Sequence, residues 1–116
     1  MKRNKSFSRT PFYLVATPIW NLSEISPRVI ETLQNVDFIA CEDSRVTRKL
    51  LSYLNISKPL LSLHEFNEES KSGEIIKRIQ EGQKGAYLSD AGYPLISDPG
   101  SRLVASLLDQ DIYASV

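Results

Sequence analysis

The sequence predicts an α/β fold: a Rossmann-like three-layer sandwich with five mostly parallel strands and helices on both faces of the sheet. Short apolar runs alternate with helical patterns throughout the 116 residues, which is typical of a parallel sheet whose strands are joined by helices. The apolar runs are continuous, as expected for strands that are buried on both faces. No internal repeat, low-complexity segment or interdomain linker is present, so we expect one layered domain.

The first half of the chain contains two strand and helix pairs. Residues 13–16 and 38–41 are the predicted strands. The helix over residues 26–36 starts with Ser26 as a capping residue and Pro27 at the first helical position, where its missing N–H costs nothing. The inner face of this helix carries Val29, Ile30, Leu33 and Val36. A second helix, capped by Asp43 or Ser44, places Val46, Leu50, Leu51 and Leu54 on its inner face.

The second half continues the alternation. Residues 60–63 form the predicted third strand, and a third helix is expected from near Ser70 to Gly82, a favourable residue after a helix end. Residues 86–88 and 112–116 are the fourth and fifth strands. Ile75, Ile76 and Ile79 mark the inner face of the third helix, and Leu103, Val104, Leu107 and Leu108 that of a last helix beginning at Asp98-Pro99-Gly100.

The charges balance overall but are unevenly distributed. The chain has 14 Lys+Arg and 14 Asp+Glu, and the first ten residues contain four of the basic residues and no acidic one. We therefore expect residues 1–11 to form a basic, flexible arm that could hold phosphates, and residues 12–116 to form the folded domain.

Several classes of protein are disfavoured. No apolar run approaches the roughly 18 residues of a membrane span, and Cys41 has no second cysteine to pair with, which favours a cytoplasmic location. Neither G-x-G-x-x-G after the first strand nor a P-loop is present. Cys41 lies inside an apolar strand and no serine occupies a G-x-S-x-G turn, which disfavours nucleophilic catalysis. One histidine with scattered carboxylates gives no metal site.

Polar and small residues follow four of the predicted strands, in residues 17–21, 42–45, 64–68 and 89–94. Ligands of open α/β sheets bind beyond the carboxyl ends of the strands, so these segments are the candidate site. Residues 42–45 also fit a purely structural interpretation, an acidic first helical turn with Arg45 as a local ion-pair partner. Gly92 would allow the backbone to approach a ligand closely.

In this order, the segments resemble the tetrapyrrole methylase superfamily and, within it, the ribosomal RNA small subunit methyltransferase I family. The resemblance covers residues 12–116 and corresponds to the amino-terminal, cofactor-binding domain of that family, without its carboxyl-terminal domain. The matching motifs are YLVATPI at 13–19, ISPR at 25–28, ACEDSRVT at 40–47, LSLHE at 61–65 and SDAGYPLISDPG at 89–100.

This resemblance implies transfer of a methyl group from S-adenosylmethionine to the ribose 2′-oxygen of a cytidine in small-subunit ribosomal RNA, with this part alone inactive. It implies cofactor-binding roles for Pro18, Asp90, Ala91, Gly92, Tyr93 and Ile96. Glu42, Asp43 and His64 are candidates for assisting removal of the 2′-proton, and Arg45, Asn67 and Trp20 for contacts with RNA. A homodimer of the full-length protein is a further implication, and no metal or membrane is implied.

Two residues depart from the family pattern. Trp20 stands where the family usually has Gly, and Tyr93 where it usually has a smaller residue such as Thr. Trp20 would crowd the cofactor loop, pack against a second domain or stack on a base. Two alternatives therefore stay open: methylation of a tetrapyrrole or another small molecule, and a non-catalytic interaction module that uses the sheet edge and Trp20.

Overall fold

A single parallel sheet organises the chain. The computed structural model describes residues 11–17, 22–64 and 67–90, together with 103, 105, 107, 108, 114 and 115. The strands are β1 (Phe12–Thr17), β2 (Phe38–Cys41), β3 (Leu60–Ser62), β4 (Gly85–Asp90) and β5 (Ala114–Ser115). Their order across the sheet is β3-β2-β4-β1-β5, and every neighbouring pair is parallel. The predicted fold class is confirmed.

Three α-helices connect the first four strands, and their starts follow the capping residues in the sequence. They are α1 (Pro27–Asn35), α2 (Ser44–Leu54) and α3 (Glu68–Gln80), and a 3-10 turn spans Leu22–Glu24. The Ser26 hydroxyl accepts a hydrogen bond from the Val29 N–H at 3.2 Å and so caps α1, as predicted. The Asp43 carboxylate caps α2 in the same way, through the Arg45 N–H at 3.0 Å.

Two left-handed residues end the second and third helices. Gly82, at φ 100°, follows α3, and the Gln83 N–H donates to the Arg78 carbonyl in the pattern of a Schellman motif. Asn55, at φ 62°, plays the corresponding part after α2, because asparagine tolerates this conformation better than most residues. The predicted end of α3 at Gly82 is confirmed.

Each face of the sheet is covered by its own hydrophobic core, which confirms the three-layer arrangement. Side chains of β4 alternate between the two cores, with Tyr87 in one and Ala86 and Leu88 in the other. The first core is covered by α3 and the helical residues 103 and 107. The second core is covered by α1 and α2, which contribute Leu33, Leu50 and Leu51.

Two aromatic side chains lie on either side of the central strand β4, near the amino-terminal edge of the sheet. Phe12 of β1 and Phe38 of β2 both lie level with Gly85 of β4, one on each side. Gly85 has no side chain, and the Phe38 ring occupies the space where its Cβ would lie. The centroids of the Phe12 and Phe38 rings are 6.4 Å apart. The Arg78 guanidinium lies 5.5 Å from the centroid of the Phe38 ring, in the range of a cation–π contact.

The structure differs from the sequence prediction at element ends and at one core position. β1 is longer than predicted and β3 is one residue shorter, while α3 begins at Glu68, before Ser70. Leu108 was expected on an inner face, but it is 48% exposed. Helical periodicity identifies the apolar face of a helix, but it does not show how much of that face other elements cover. Val104, residues 1–10 and residues 98–100 lie outside the described part, as do residues 112, 113 and 116 of the predicted fifth strand.

No helix in the described segments is long and apolar enough to cross a membrane.

Pro11 is held at the amino end of the sheet, since its carbonyl accepts a hydrogen bond from the Gly85 N–H at 2.9 Å.

We expect Gly85→Ala to lower the free energy of unfolding by about 2 kcal/mol, because the new methyl group would collide with the Phe38 ring. The matched control is Gly73→Ala in α3, where nothing lies within 4 Å of an added Cβ. That change should raise the free energy of unfolding by about 0.5–1 kcal/mol through helix propensity. Urea denaturation measures both, and equal effects of the two substitutions would contradict the aromatic packing at Gly85.

Candidate active site at the carboxyl edge of the sheet

The strand order makes the carboxyl ends of β1 and β4 the place where a ligand crevice is expected. From β1 the chain continues to β2 on one side, and from β4 it continues to β5 on the other side. Neighbouring strands whose connections leave in opposite directions form a topological switch point, where open α/β sheets bind their ligands. The segments after β1 and β4, both predicted to hold a cofactor, therefore begin at this crevice.

The last residues of these two strands are level. Thr17 and Asp90 are register partners, so the backbone predicted to bind cofactor at Asp90 starts directly opposite the end of β1. The other predicted cofactor residues, Pro18, Ala91, Gly92, Tyr93 and Ile96, lie outside the described residues, as does Trp20.

Thr17 contributes a buried polar group to the crevice. Its side chain is fully buried, and its Oγ1 has no hydrogen-bond partner among the described residues. A buried hydroxyl without a partner is unfavourable and calls for an explanation, such as a ligand or a water that completes the bonding. The Ser72 hydroxyl of α3 is a second such group in the described residues, but it does not lie at the end of a strand. Thr17 belongs to the segment 17–21 that follows the first predicted strand, and its residue type alone indicates no role. Its position as the last residue of an apolar run at the central crevice was the available signal.

Hydrogen bonds join the ends of β2 and β3 into one unit. The Ser62 hydroxyl donates to the Glu42 carbonyl at 3.3 Å, and the Leu63 N–H donates to the Cys41 carbonyl at 2.7 Å. The loop that carries His64 is thereby held beside the loop that carries Glu42. Ser62 was absent from the sequence-based candidates, because its role depends on a backbone group 20 residues away.

Asn67 fixes the His64 loop through its side-chain amide. Its Oδ1 accepts from the His64 N–H at 2.9 Å, and its Nδ2 donates to the Ser62 carbonyl at 2.8 Å. The His64 side chain is half-buried. The oxygen and the nitrogen of the Asn67 amide thus each bond to a backbone group. One of its two N–H groups is left for a contact with RNA.

Asp43 and Arg45 form the local ion pair at the first turn of α2 that the structural interpretation of residues 42–45 predicts. Besides capping α2, Asp43 pairs with the Arg45 side chain, Nε to Oδ1 at 3.5 Å, and the Arg45 side chain is 87% exposed. The hydrogen bond from the Arg45 backbone N–H, helped by the guanidinium, lowers the pKa of Asp43 below its ordinary value. A carboxylate with a lowered pKa is a weaker proton acceptor.

Cys41 packs as the sequence suggested. It is buried at the end of β2, and burial raises the pKa of its thiol, so the nucleophilic thiolate is disfavoured. Thr47 shares a hydrogen bond with this sulfur. No group of three or more metal-ligating side chains occurs in the part of the chain that the structure describes.

Comparison with known proteins gives a consistent result. The family described as Tetrapyrrole (Corrin/Porphyrin) Methylases matches residues 11–116. Proteins named Ribosomal RNA small subunit methyltransferase I are similar to this chain in Mycoplasmopsis pulmonis, 49% identical over 86% of the chain, and in Escherichia coli O157:H7, 45% identical over 97% of it. The chain spans 45% and 40% of the lengths of these two relatives.

A solved structure shares the fold. The cobalamin biosynthetic enzyme cobalt precorrin-4 methyltransferase superposes with a TM-score of 0.72 over 99% of this chain and 46% of its own. Its sequence is 17% identical, so the likeness concerns the fold alone.

Two buried threonines should respond in opposite directions to loss of their hydroxyl groups. We expect Thr17→Val to raise the free energy of unfolding by about 1 kcal/mol, since it removes a buried hydroxyl that has no partner. Thr47→Val, which removes the hydrogen bond to Cys41, should lower it by about 1 kcal/mol. Chemical denaturation of both variants tests this, and destabilisation by Thr17→Val would show that its hydroxyl is already bonded.

Proposed function

Because this chain belongs to the tetrapyrrole (corrin/porphyrin) methylase family, we propose that it is the cofactor-binding part of an S-adenosylmethionine-dependent methyltransferase acting on small-subunit ribosomal RNA. The observation that carries the proposal is the sequence identity between this chain and the named ribosomal RNA methyltransferases, which is 49% over 86% of the chain in one relative and 45% over 97% in another. The proposed product is a cytidine methylated on its ribose 2′-oxygen. The activity is that of the full-length protein, since the chain spans less than half of these relatives.

The crevice between β1 and β4 is the proposed cofactor site. Its position at the switch point and the buried Thr17 hydroxyl support this assignment. When bound, S-adenosylmethionine supplies an electrophilic methyl group. Backbone groups after β4 and the Thr17 hydroxyl would hold and orient it, and accurate alignment provides much of the rate enhancement in such transfers. The proposed contacts are Thr17, Pro18, Asp90, Ala91, Gly92, Tyr93 and Ile96.

The ends of β2 and β3 are the proposed acceptor side. β2 lies directly beside β4, about 5 Å away across the sheet, so a ribose held there would lie next to the cofactor crevice. Glu42 and His64 are the proposed groups that assist loss of the 2′-proton. Asp43 is the less suitable base, because its carboxylate caps α2 and its pKa is lowered.

Further substrate contacts follow from the same arrangement. Arg45 keeps guanidinium N–H groups free for a phosphate beyond its single ion pair, and Trp20 is proposed to stack on a base. Asn67 is proposed to act mainly by holding the His64 loop, with its remaining N–H available to the RNA. A cytoplasmic location is proposed together with the ribosomal substrate, and association of two full-length chains stays a prediction.

The proposed function is tested with the full-length protein, tritiated S-adenosylmethionine and small ribosomal subunits from cells that lack the enzyme. We expect label in the ribosomal RNA, and nucleoside mass spectrometry should identify 2′-O-methylcytidine. Label in an added tetrapyrrole instead would favour the small-molecule alternative. Absence of both transfer and cofactor binding would favour the interaction module.

Thr17 gives a sharper test of the cofactor crevice. We expect Thr17→Val to weaken S-adenosylmethionine binding about five- to tenfold, as loss of one buried hydrogen bond would. Thr17→Ser keeps the hydroxyl and should bind nearly as tightly as the natural protein. Calorimetric titration measures both, and equal affinities of the two variants would remove Thr17 from the site.

The acceptor side is tested through the pH dependence of the rate. If Glu42 accepts the 2′-proton, Glu42→Gln should lower kcat by about 100-fold or more while leaving KM for the ribosomal subunit nearly unchanged. His64→Asn tests the alternative base in the same assay. The residue that acts as the base is the one whose substitution abolishes the fall of kcat at acidic pH. An unchanged dependence of kcat on pH in both variants would contradict the proposal.

A further inference from the structure

α2 differs from α1 and α3 in its charge. It contains Arg45, Arg48 and Lys49 and no acidic residue, and no Asp or Glu occurs between residues 44 and 64. Lys58 follows in the same stretch. This interval therefore carries four positive charges in a chain whose total charge is zero.

The cations of α2 lie on one face. Residues three, four, seven and eight positions apart share a helix face, and this spacing joins Arg45 to Arg48, Lys49, Ser52 and Tyr53. All five are exposed, whereas Thr47, Leu50 and Leu51 are buried on the opposite side. We call the exposed set of 45, 48, 49, 52 and 53 the outer face of α2.

In α1 and α3 acidic residues balance the basic ones in number. α3 has three basic and three acidic residues, and Glu74 pairs with Lys71 at 3.3 Å and with Arg78 at 3.4 Å. α1 carries one of each, Arg28 and Glu31. On the outer face of α2 the ion pair between Arg45 and Asp43 is the only one found in the described residues, so Arg48 and Lys49 keep their charges available.

An aromatic ring and a groove accompany these charges. Tyr53 is 60% exposed, and tyrosine is enriched at interfaces because its ring can pack while its hydroxyl stays hydrated. A surface groove of about 610 Å³ adjoins this face at Arg48 and Ser52; its other lining residues are Ser57 and Lys58 and the apolar Leu51, Ile56, Pro59 and Leu60. Cations that follow a backbone, with an aromatic ring on which a base can stack, are the recurring features of single-stranded nucleic-acid surfaces.

We propose that the outer face of α2, with the adjoining groove, binds the phosphate backbone of the RNA next to the nucleotide that is methylated. This inference rests on the proposed function. Since α2 starts directly after β2, its amino end lies at the carboxyl edge of the sheet. From Arg45 to Tyr53 the face extends about 12 Å, away from the proposed acceptor side. Phosphate contacts of this kind set the position of an RNA without reading its sequence.

The test compares two charge-matched double variants of the full-length protein. R48Q/K49Q removes one arginine and one lysine from the outer face of α2. R28Q/K77Q removes the same pair from exposed positions on α1 and α3. Binding of a fluorescein-labelled oligouridylate of about 20 nucleotides is followed by fluorescence anisotropy between about 50 and 200 mM salt.

We expect R48Q/K49Q to weaken RNA binding on the order of tenfold and to reduce the salt slope of log K by about 1.4, the value for two phosphate contacts with a single strand. R28Q/K77Q should change the affinity less than about twofold. In the methyl-transfer assay R48Q/K49Q should raise KM for the small subunit and leave kcat and S-adenosylmethionine binding unchanged. Circular dichroism checks that both variants are folded.

The outcomes separate this inference from the proposed function. Active natural protein with equal RNA affinity in the two variants would overturn the inference and leave the methyltransferase standing. Loss of RNA affinity confined to R48Q/K49Q, in a protein that transfers no methyl group to the small subunit, would support the RNA surface and refute the proposed function. Binding of anionic lipid vesicles without binding of RNA would overturn the inference.

Discussion

The contact of two aromatic rings above Gly85 is the interaction on which the rest of the arrangement depends. Phe12 and Phe38 belong to the strands on either side of β4, and the Phe38 ring reaches over β4 because Gly85 has no side chain. This contact favours the register in which residue 85 of β4 lies level with both rings. Since strands rise uniformly, the same register places Thr17 opposite Asp90 at the other end of the sheet. A substitution at Gly85 would therefore act on strands whose far ends border the proposed cofactor site.

The carboxyl edge divides into two halves that are held by different means. At β1 and β4, strand pairing alone brings the two chain ends together, and a buried hydroxyl is left without a partner in the described residues. At β2 and β3, side-chain to backbone hydrogen bonds through Ser62 and Asn67 connect the loops. The first half is suited to accept a ligand, and the second to hold side chains in fixed positions. A transfer reaction requires both properties next to each other.

Local signals in the sequence predicted the fold well, because capping and periodicity involve neighbours within a few residues. Ser26 and Gly82 were identified as helix ends in this way, and the cap of α2 was narrowed to Asp43 or Ser44, of which Asp43 is the cap. The exposure of Leu108 could not be predicted, since it depends on which elements cover a helix. The same applies to the site. Glu42 and His64 followed from strand ends, whereas the buried Thr17 hydroxyl and the two backbone bonds of Asn67 depend on contacts that hydrophobic patterns do not encode.

The single cysteine of the sequence gives this fold a natural reporter. Cys41 is 1% exposed and lies one residue before Glu42, so an alkylating reagent can reach its sulfur only when the end of β2 separates from its neighbours. When opening and closing are fast relative to labelling, the modification rate measures the equilibrium population of that opened form. Ligands that bind beside β2 would slow the labelling by the amount they stabilise the closed sheet. The thiol therefore allows the occupancy of this edge to be followed without any engineered label.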